Sequence, residues 1–240
     1  MLDSLWSVAA LLTTDARTSY PWPLCWGNAL WGYVAFKKDA AKLEPASRPS
    51  ALFGVFGSFV LYTMPANFCA NLFCFVRTPS ALTNPTIVPV HLACCLLLSA
   101  FSPLSSLLGT GIPYAVIDSL GVLDNATTAL NYMEEALALY GSPILALLTG
   151  MAVNLGGGLL RHFATRGYVE GAASFDGAMR AAVAHSFCTC ALYYWVALEP
   201  CGADDKCIRA TSLYEILPWI AVCRNLAPTV MQALRKEKAA

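Results

Sequence analysis

The sequence predicts an all-α membrane protein with seven transmembrane helices, because it is strongly apolar and sparsely charged. Of its 240 residues, 57% are hydrophobic and 12% are charged, and the mean hydropathy is +0.56. Soluble domains carry about 25% charged residues, so a water-exposed surface would be difficult to cover; one unusually apolar globular core is the alternative. The formal net charge is zero, which gives no indication of a nucleic-acid partner.

Seven segments approach the roughly 20 apolar residues that a membrane-spanning helix needs. They are 20–37, 51–75, 85–101, 112–139, 143–163, 178–198 and 208–230. The gaps are too short for a soluble domain, so we expect one membrane domain at 20–230, a luminal segment at 1–19 and a basic cytosolic tail at 231–240. The apolar stretch 4–12 is too short to span, and Asp3 stands where a cleavable signal peptide would be basic.

Lysine and arginine predict the orientation, since they are enriched on the cytosolic side of a membrane. With seven spans, eleven of the fifteen basic residues fall on one side and four on the other. The larger group comprises Lys37, Lys38, Lys42, Arg48, Arg161, Arg166, Arg180, Arg224, Arg235, Lys236 and Lys238. The C-terminus is therefore predicted to be cytosolic and the N-terminus luminal.

Two short features fit this orientation. Cys201 and Cys207 flank the polar loop CGADDKC on the predicted luminal side, where an oxidising lumen would allow a disulfide. The chain ends in KEKAA, in which Lys236 and Lys238 match the di-lysine pattern of endoplasmic reticulum retrieval signals; an ordinary basic flank is the alternative. Most other cysteines lie in apolar runs without metal-ligand spacing, so no metal is predicted.

The stretch NLGGGLLRHF (154–163) places three glycines and a charge in the fifth span. Glycine destabilises a helix interior by about 1 kcal/mol relative to alanine, so Gly156, Gly157 and Gly158 predict a kink or break. Close helix packing through small residues is the alternative. Arg161 either faces a wet cavity or extends to the headgroups from the end of the span.

The second span carries a similar pattern. FGVFGSFVLYTM (53–64) brings Gly57 and Ser58 into an apolar segment. Since this pattern and the glycine run fall in spans two and five, spans one to three and four to six would be two copies of one unit. Copies with an odd number of spans insert in opposite senses, so we predict an inverted repeat followed by a seventh helix.

The fourth span is the most polar. Asp118, Asp124, Asn125 and Thr128 recur at near-helical spacing, which predicts a polar stripe facing the bundle interior or an aqueous path. The glutamates at 134 and 135 fall near its luminal end, as an acidic mouth or as a solvated helix end.

The sequence gives no indication of a catalytic site. His91 and His185 lie in apolar runs and are interpreted as packing residues rather than proton relays. The sequence contains no recognisable nucleophile–base set, metalloprotease motif or phosphate-binding loop. We therefore predict a protein that is not an enzyme and needs no cofactor.

This combination resembles the trimeric intracellular cation (TRIC) channel family over about residues 20–230. The glycines at 156–158 followed by Arg161 are similar to the glycine-rich break in that family's fifth span, and FGSF (56–59) stands where the family has the matching break in its second span. AFSP (100–103) resembles the FCP element of the animal members. The basic loop after the first span also fits, with Lys37, Lys38 and Lys42.

The resemblance implies a homotrimer in the endoplasmic reticulum or nuclear membrane, with one ion path through each protomer. It implies conduction of monovalent cations, potassium above all, as a counter-current to calcium release. In animal members a KEV motif in the fourth span carries a lysine tied to gating and to phosphatidylinositol bisphosphate. The matching stretch, GVLDNAT (121–127), has no lysine and places Asp124 near the glutamate. It thus lacks the residue on which phosphoinositide regulation of the animal type depends, whereas cation permeation is retained.

The first hypothesis is a passive cation channel in which discontinuous spans enclose a wet path and bend at Gly57 and at the glycine run. The predicted lining consists of Asp118, Asp124, Asn125, Thr128 and Arg161. A secondary transporter of a small solute, with its site at the broken second and fifth spans, is one alternative. A non-conducting membrane scaffold or lipid-handling protein is another.

Overall fold

The computed structural model describes residues 23–43, 48, 50–169 and 177–198, together with 220, 222, 223, 226–228, 230 and 231. Four predicted features lie outside these residues. They are the luminal segment 1–19, the loop with Cys201 and Cys207, most of the seventh span, and the tail with Lys236 and Lys238.

The described chain is a succession of helices, most of which fall within the predicted spans. In order they are α1 (Pro23–Ala41), α2 (Ala51–Ser58) with a π-helical turn at Phe59–Thr63, α3 (Pro65–Cys69) with a π-helical turn at Ala70–Cys74, α4 (Ser80–Thr83), α5 (Ile87–Ala100), α6 (Ser102–Leu108), α7 (Gly111–Tyr140), α8 (Pro143–Val169), and α9 (Gly177–Tyr193) with a π-helical turn at Tyr194–Leu198.

Few of these helices are both long and apolar enough to cross a membrane on their own. By length and composition, the described residues hold one such helix, within α8 at Pro143–Leu160, and up to three if each bent helix pair is counted as a single span. Helix α7 is 30 residues long but carries four carboxylates, two of them at Asp118 and Asp124. The predicted number of seven spans therefore stays a prediction, as does the inverted relation between the two halves.

The second span bends by 73° between its two halves, Ala51–Thr63 and Pro65–Cys74; we call these residues together the bent span. Pro65 causes the bend, because proline has no N–H for the carbonyl four residues earlier and its ring clashes with that carbonyl. Met64 at the bend has φ −124° and ψ 24°, outside the helical region. The break was predicted at Gly57; this is wrong, since the helix continues through Gly57 and bends seven residues later, at Met64.

The third span is also bent, by 107° between α5 and α6. Phe101 lies at the bend with φ −113° and ψ 82°, and Pro103 follows within the first turn of α6. Since proline is tolerated in the first turn of a helix and not in its interior, the AFSP element stops α5 and starts α6 in a new direction.

The long central helices end at well-defined caps. Helix α7 stops at Gly141, which has a left-handed φ of 60° and donates its N–H to the carbonyl of Leu137. Only glycine takes this conformation without steric cost, so it commonly follows the last residue of a helix. Two residues on, Pro143 opens α8, and the Ser142 hydroxyl accepts the N–H of Leu145.

Helix α7 contributes to four buried clusters, the smallest of which pairs Leu123 with Val222. On one side Ile117 packs with Tyr33 and Val34 of α1 and with Leu98 of α5. In the middle, Ala129 and Tyr132 pack against the bent span and α8. On the other side, a cluster joins α7 to α8 and α9, namely Leu130, Met133, Ala136, Ala146, Cys190, Tyr193 and Leu198.

The glycine run does not break the fifth span. Helix α8 runs as one α-helix over 27 residues, and Gly156–Gly158 lie in its middle. The prediction of a broken fifth span with a hinge at these glycines is therefore wrong. A continuous helix keeps its backbone hydrogen bonds, which lipid cannot replace, whereas the low helix propensity of three glycines costs only about 3 kcal/mol in total.

Close helix packing, the alternative reading, accounts for the glycines. A Cβ atom at Gly156 would lie 2.9 Å from Cβ of Cys69, and one at Gly157 would lie 2.6 Å from Cγ of Pro65. Both distances are shorter than van der Waals contact, so any larger residue would push α8 away from the bent span. At Gly158, by contrast, a Cβ would meet nothing within 4 Å.

We expect Gly157→Ala to destabilise the protein by about 1–3 kcal/mol, the usual effect of overpacking. The Pro65 ring that the new methyl group would meet is rigid and cannot rotate away. Gly158→Ala is the matched control and should be neutral or stabilising by up to about 1 kcal/mol, because alanine favours the helix. Thermal unfolding of the purified variants in detergent measures both effects. Equal losses at positions 157 and 158 would contradict the packing argument.

Candidate functional site

A cavity of about 760 Å³ lies beside the bend of the second span. Its wall is built by α1, the bent span, α7, α8 and α9, with Ile87 from α5 and Pro228 from the C-terminal part. Its lining residues with polar side-chain atoms include Asn28, Trp31, Tyr62, Thr63, Asn67, Asp124, Asn125, Thr128, Asn154, His185, Ser186, Thr189 and Tyr193. Among the described lining residues Asp124 is the one carboxylate, and none is lysine or arginine.

Asp124 is held at the cavity wall by the side chain of Asn28 on α1. The Asn28 amide nitrogen lies 2.6 Å from Asp124 Oδ2 and 2.9 Å from the carbonyl oxygen of Thr63 at the bend. One amide group thus joins α1, the bent span and α7. Since the carbonyl groups near Pro65 cannot all be used within the helix, this hydrogen bond also satisfies a backbone acceptor that would otherwise be costly to bury in lipid.

A second amide pair continues the polar wall on α7 and α8. Asn125 Nδ2 donates to Asn154 Oδ1 at 3.2 Å, and Asn154 Nδ2 donates to the Cys190 thiol sulfur at 3.2 Å. The nitrogen end of the Asn125 amide therefore faces α8. Three helices are linked in this way, because Cys190 belongs to α9.

The directions of these hydrogen bonds determine the chemistry of the wall. Both amide hydrogens of Asn28 are used, one on Thr63 and one on Asp124. An asparagine oxygen can only accept hydrogen bonds, and the same is true of both oxygens of an ionised carboxylate. Asn28 consequently has only its oxygen left for a solute, and an ionised Asp124 offers only oxygens, which are the ligands that hard cations prefer.

The predicted site residues divide into two groups. Asp124, Asn125, Thr128, Gly157 and Gly158 line the cavity, so the structure brings them together. The lining does not include the other described candidates, which are Gly57, Ser58, Asp118 and Gly156. The side chain of Arg161 lies outside what the structure describes.

Asp118, Ser58 and Gly57 occupy packing positions. The indole N–H of Trp31 donates to Asp118 Oδ1, which ties this carboxylate to α1. The Ser58 hydroxyl is fully buried; it donates to the Val55 carbonyl and contacts the His91 ring. Gly57 is buried against Phe36, from which a Cβ would lie 3.7 Å away.

Several lining residues are not among the predicted ones. Asn28 is 5% exposed and lies in the apolar first half of α1, and Asn154 lies two residues before the glycine run. A buried amide in a membrane-spanning segment is itself a signal, because its polar atoms need partners. Polarity in the first and fifth spans could therefore have identified both residues, although not their partners.

A second polar cluster holds the far half of the bent span against α7. The Tyr132 hydroxyl accepts hydrogen bonds from Asn67 at 2.9 Å and from Asn71 at 2.6 Å. Arg77 Nε donates to Asn71 Oδ1, and the guanidinium makes two parallel bonds to the carboxylate of Glu135. The cluster connects the exposed ion pair to the cavity, since Asn67 is a lining residue.

The conformation of Arg77 is tightly constrained. Its guanidinium lies 4.6 Å from the centre of the Phe75 ring, and the Glu135 carboxylate raises the pKa of the Arg77 side chain. Val76 lies between Phe75 and Arg77 in the sequence and has a left-handed φ of 50°, which is rare and strained for a β-branched residue. The contacts on both sides of Val76 hold the chain in this conformation.

Apolar helices that enclose a polar cavity beside a bent span are the architecture of a membrane protein with a hydrophilic interior. A solved structure with the same architecture is that of a trimeric intracellular cation channel from C. elegans with bound Ca²⁺. The two structures superpose with a TM-score of 0.69 at 17% sequence identity, covering 96% of this chain and 100% of that chain. No family model and no curated protein matches the sequence. The prediction of an all-α membrane fold of the TRIC type is confirmed.

We expect Arg77 and Glu135 to stabilise the fold as a pair. Replacing either by methionine should lower the free energy of unfolding, and the double replacement should cost less than the sum of the two single ones. Because both side chains are partly exposed, the coupling should be about 0.5–1 kcal/mol. A double-mutant cycle of unfolding in detergent at low and high salt measures it. A coupling that is zero at low salt would contradict this role.

Proposed function

We propose that the protein is a cation channel whose ion path runs through the cavity beside the bent span. The observation that carries the proposal is the chemistry of the wall: Asp124 is the one carboxylate among the described lining residues, Asn28 beside it has both amide hydrogens engaged, and the described lining holds no lysine or arginine. The likeness to a structure named as a cation channel supports the same class of function.

The electrostatics of the wall favour cations over anions. Two unit charges 4 Å apart attract each other by about 1 kcal/mol in bulk water and by about 4 kcal/mol at an effective dielectric constant of 20. A narrow polar path through apolar helices lies between these limits. A cation near Asp124 would thus be stabilised by several times the thermal energy, and an anion would be repelled by as much.

The more specific proposal is a potassium channel of an intracellular membrane that works as a homotrimer. The solved neighbour is named as trimeric and intracellular. The distribution of basic residues supports a cytosolic position for the segment that carries Lys236 and Lys238. In such a membrane, potassium flux would balance the charge that leaves with calcium. A disulfide between Cys201 and Cys207 belongs to the same proposed topology.

A secondary transporter is the second candidate, because a bent span beside a polar cavity is also how transporters form solute sites at the membrane midplane. The bend at Met64 lies at the cavity, which favours this reading as much as a channel. Planar bilayers with the purified protein under a potassium gradient separate the two. Ohmic single-channel currents support the channel, whereas saturable flux coupled to a second solute supports the transporter.

We expect Asp124→Asn to reduce the potassium-to-chloride permeability ratio by about fivefold or more, which corresponds to the loss of about 1 kcal/mol of attraction. The substitution keeps the shape of the side chain and removes its charge. Reversal potentials in bilayers under a salt gradient measure the ratio.

Asp118→Asn is the matched control. It neutralises a carboxylate on the same helix that binds Trp31 and does not line the cavity. It should leave the ratio unchanged. If Asp124→Asn retains the permeability ratio and conductance of the unmodified protein, the path does not pass Asp124.

A further inference from the structure

His91 of α5 is buried against the bent span and contacts it before the π-helical turn and at the turn's last residue. It is 2% exposed. Nε2 lies 3.2 Å from the Val55 carbonyl oxygen and 3.0 Å from the Ser58 hydroxyl, before the turn. Nδ1 lies 3.2 Å from the hydroxyl of Thr63, at the end of the turn. One imidazole thus spans the irregular part of the helix.

The partners determine which nitrogen carries the proton. The Val55 carbonyl oxygen can only accept hydrogen bonds, and the Ser58 hydroxyl already donates to that same oxygen. Nε2 must therefore carry the hydrogen. In a neutral imidazole the other nitrogen is then an acceptor, so the Thr63 hydroxyl donates to Nδ1.

This hydrogen bond orients Thr63 toward α5 through its hydroxyl and toward α1 through its carbonyl. The Thr63 carbonyl oxygen accepts the first hydrogen of the Asn28 amide, and Asp124 Oδ2 accepts the second. Helix α1 can approach this closely because it has no side chain at Gly32, where a Cβ would lie 3.1 Å from the Thr63 nitrogen.

Hydrogen bonds that meet at Thr63 therefore connect a histidine outside the cavity with the carboxylate inside it. Nδ1 of His91 accepts a hydrogen bond from the Thr63 hydroxyl, and the Thr63 carbonyl accepts one from the Asn28 amide, whose second hydrogen binds Asp124. The covalent structure of Thr63 joins the two ends.

We propose that His91 is a positioning residue for the cation site at Asp124, acting through the Thr63 hydroxyl and the Asn28 amide. The inference rests on the proposed channel function for its effect on ions, but not for its effect on Asn28. It assigns the role to one nitrogen of the ring, Nδ1. The Nε2 side fastens α5 to the first half of the bent span and has no direct link to the cavity.

Two pairs of variants distinguish the contacts of Nδ1 from those of Nε2. His91→Asn places an amide oxygen where Nδ1 was and keeps an acceptor for Thr63, whereas His91→Gln reaches only the former position of Nε2. Thr63→Val removes the hydroxyl at constant shape, and Thr63→Ser retains it. Cys95→Ala is the control, because the Cys95 thiol contacts the Nε2 side at 3.3 Å and is not a lining residue.

Two measurements apply to each variant. The potassium-to-chloride permeability ratio in bilayers reports on the cation site. The side-chain amide signals of Asn28, observed by NMR in detergent with ¹⁵N-asparagine and assigned by their absence in Asn28→Asp, report on its position without any need for conduction. Thermal unfolding shows whether each variant is folded.

We expect Thr63→Val and His91→Gln to lower the permeability ratio by about two- to tenfold, as the loss of one hydrogen bond implies, and to shift the Asn28 signals. Thr63→Ser, His91→Asn and Cys95→Ala should retain both. If His91→Gln does not fold, the valine–serine pair at position 63 decides.

The outcomes distinguish the inference from the proposed function. If the unmodified protein conducts no ions, the channel proposal fails, and the Asn28 signals still decide on His91. If Thr63→Val leaves the Asn28 signals unchanged, or if Cys95→Ala changes them as much as Thr63→Val does, His91 has no positioning role and contributes only to packing.

Discussion

The structure depends on the requirement that a helix interrupted inside a membrane must find new partners for its released backbone groups. Pro65 interrupts the second span, and protein groups rather than lipid surround the break. Asn28 binds the Thr63 carbonyl oxygen beside the break, and His91 contacts the Thr63 hydroxyl. Helices α1 and α5 therefore each supply a polar side chain at the bend. The cavity lies where these polar groups converge.

The two glycine-containing spans, the second and the fifth, have different backbone conformations. The second span bends, and its bend makes a polar wall. The fifth span stays one continuous helix, and its glycines allow α8 to approach the bend, with Gly156 against Cys69 and Gly157 against Pro65. Helix α8 therefore packs directly against the bent span at its bend. The polar wall is then held by side chains on the neighbouring helices rather than by loose backbone in α8.

Much of the fold could be predicted from the sequence, because length and apolar character are local properties. The predicted segment 112–139 corresponds to α7, and 143–163 lies within α8. The identity of the bent residue could not be predicted from glycine alone. Helix propensity differs by about 1 kcal/mol at a glycine, whereas proline in a helix interior costs about 3 kcal/mol or more. Giving Pro65 more weight than Gly57 would have located the bend.

The site was less predictable, because tertiary contacts divide residues that look equivalent along a helix. Asp118 and Asp124 both belong to the polar stripe of the fourth span, but Trp31 binds the first and Asn28 binds the second. Which carboxylate reaches the cavity depends on the register between α1 and α7. That register is set by Gly27, packed against Leu120, and by Gly121, packed against Trp31. Neither contact is visible in a single sequence.

In the proposed channel, the charge of Asp124 would be only part of a preference for cations, since asparagine has both a donor and an acceptor end and could bind either sign of ion. Hydrogen bonds inside the protein reduce this ambiguity at Asn28. Both of its amide hydrogens bind Thr63 and Asp124, and one hydrogen of Asn125 binds Asn154. The Asn28 amide therefore has no hydrogen left to offer an anion. Such an orientation would cost nothing when an ion arrives, because the protein has already fixed it. The polar contacts at the bend would in this way also contribute to the selection of the ion.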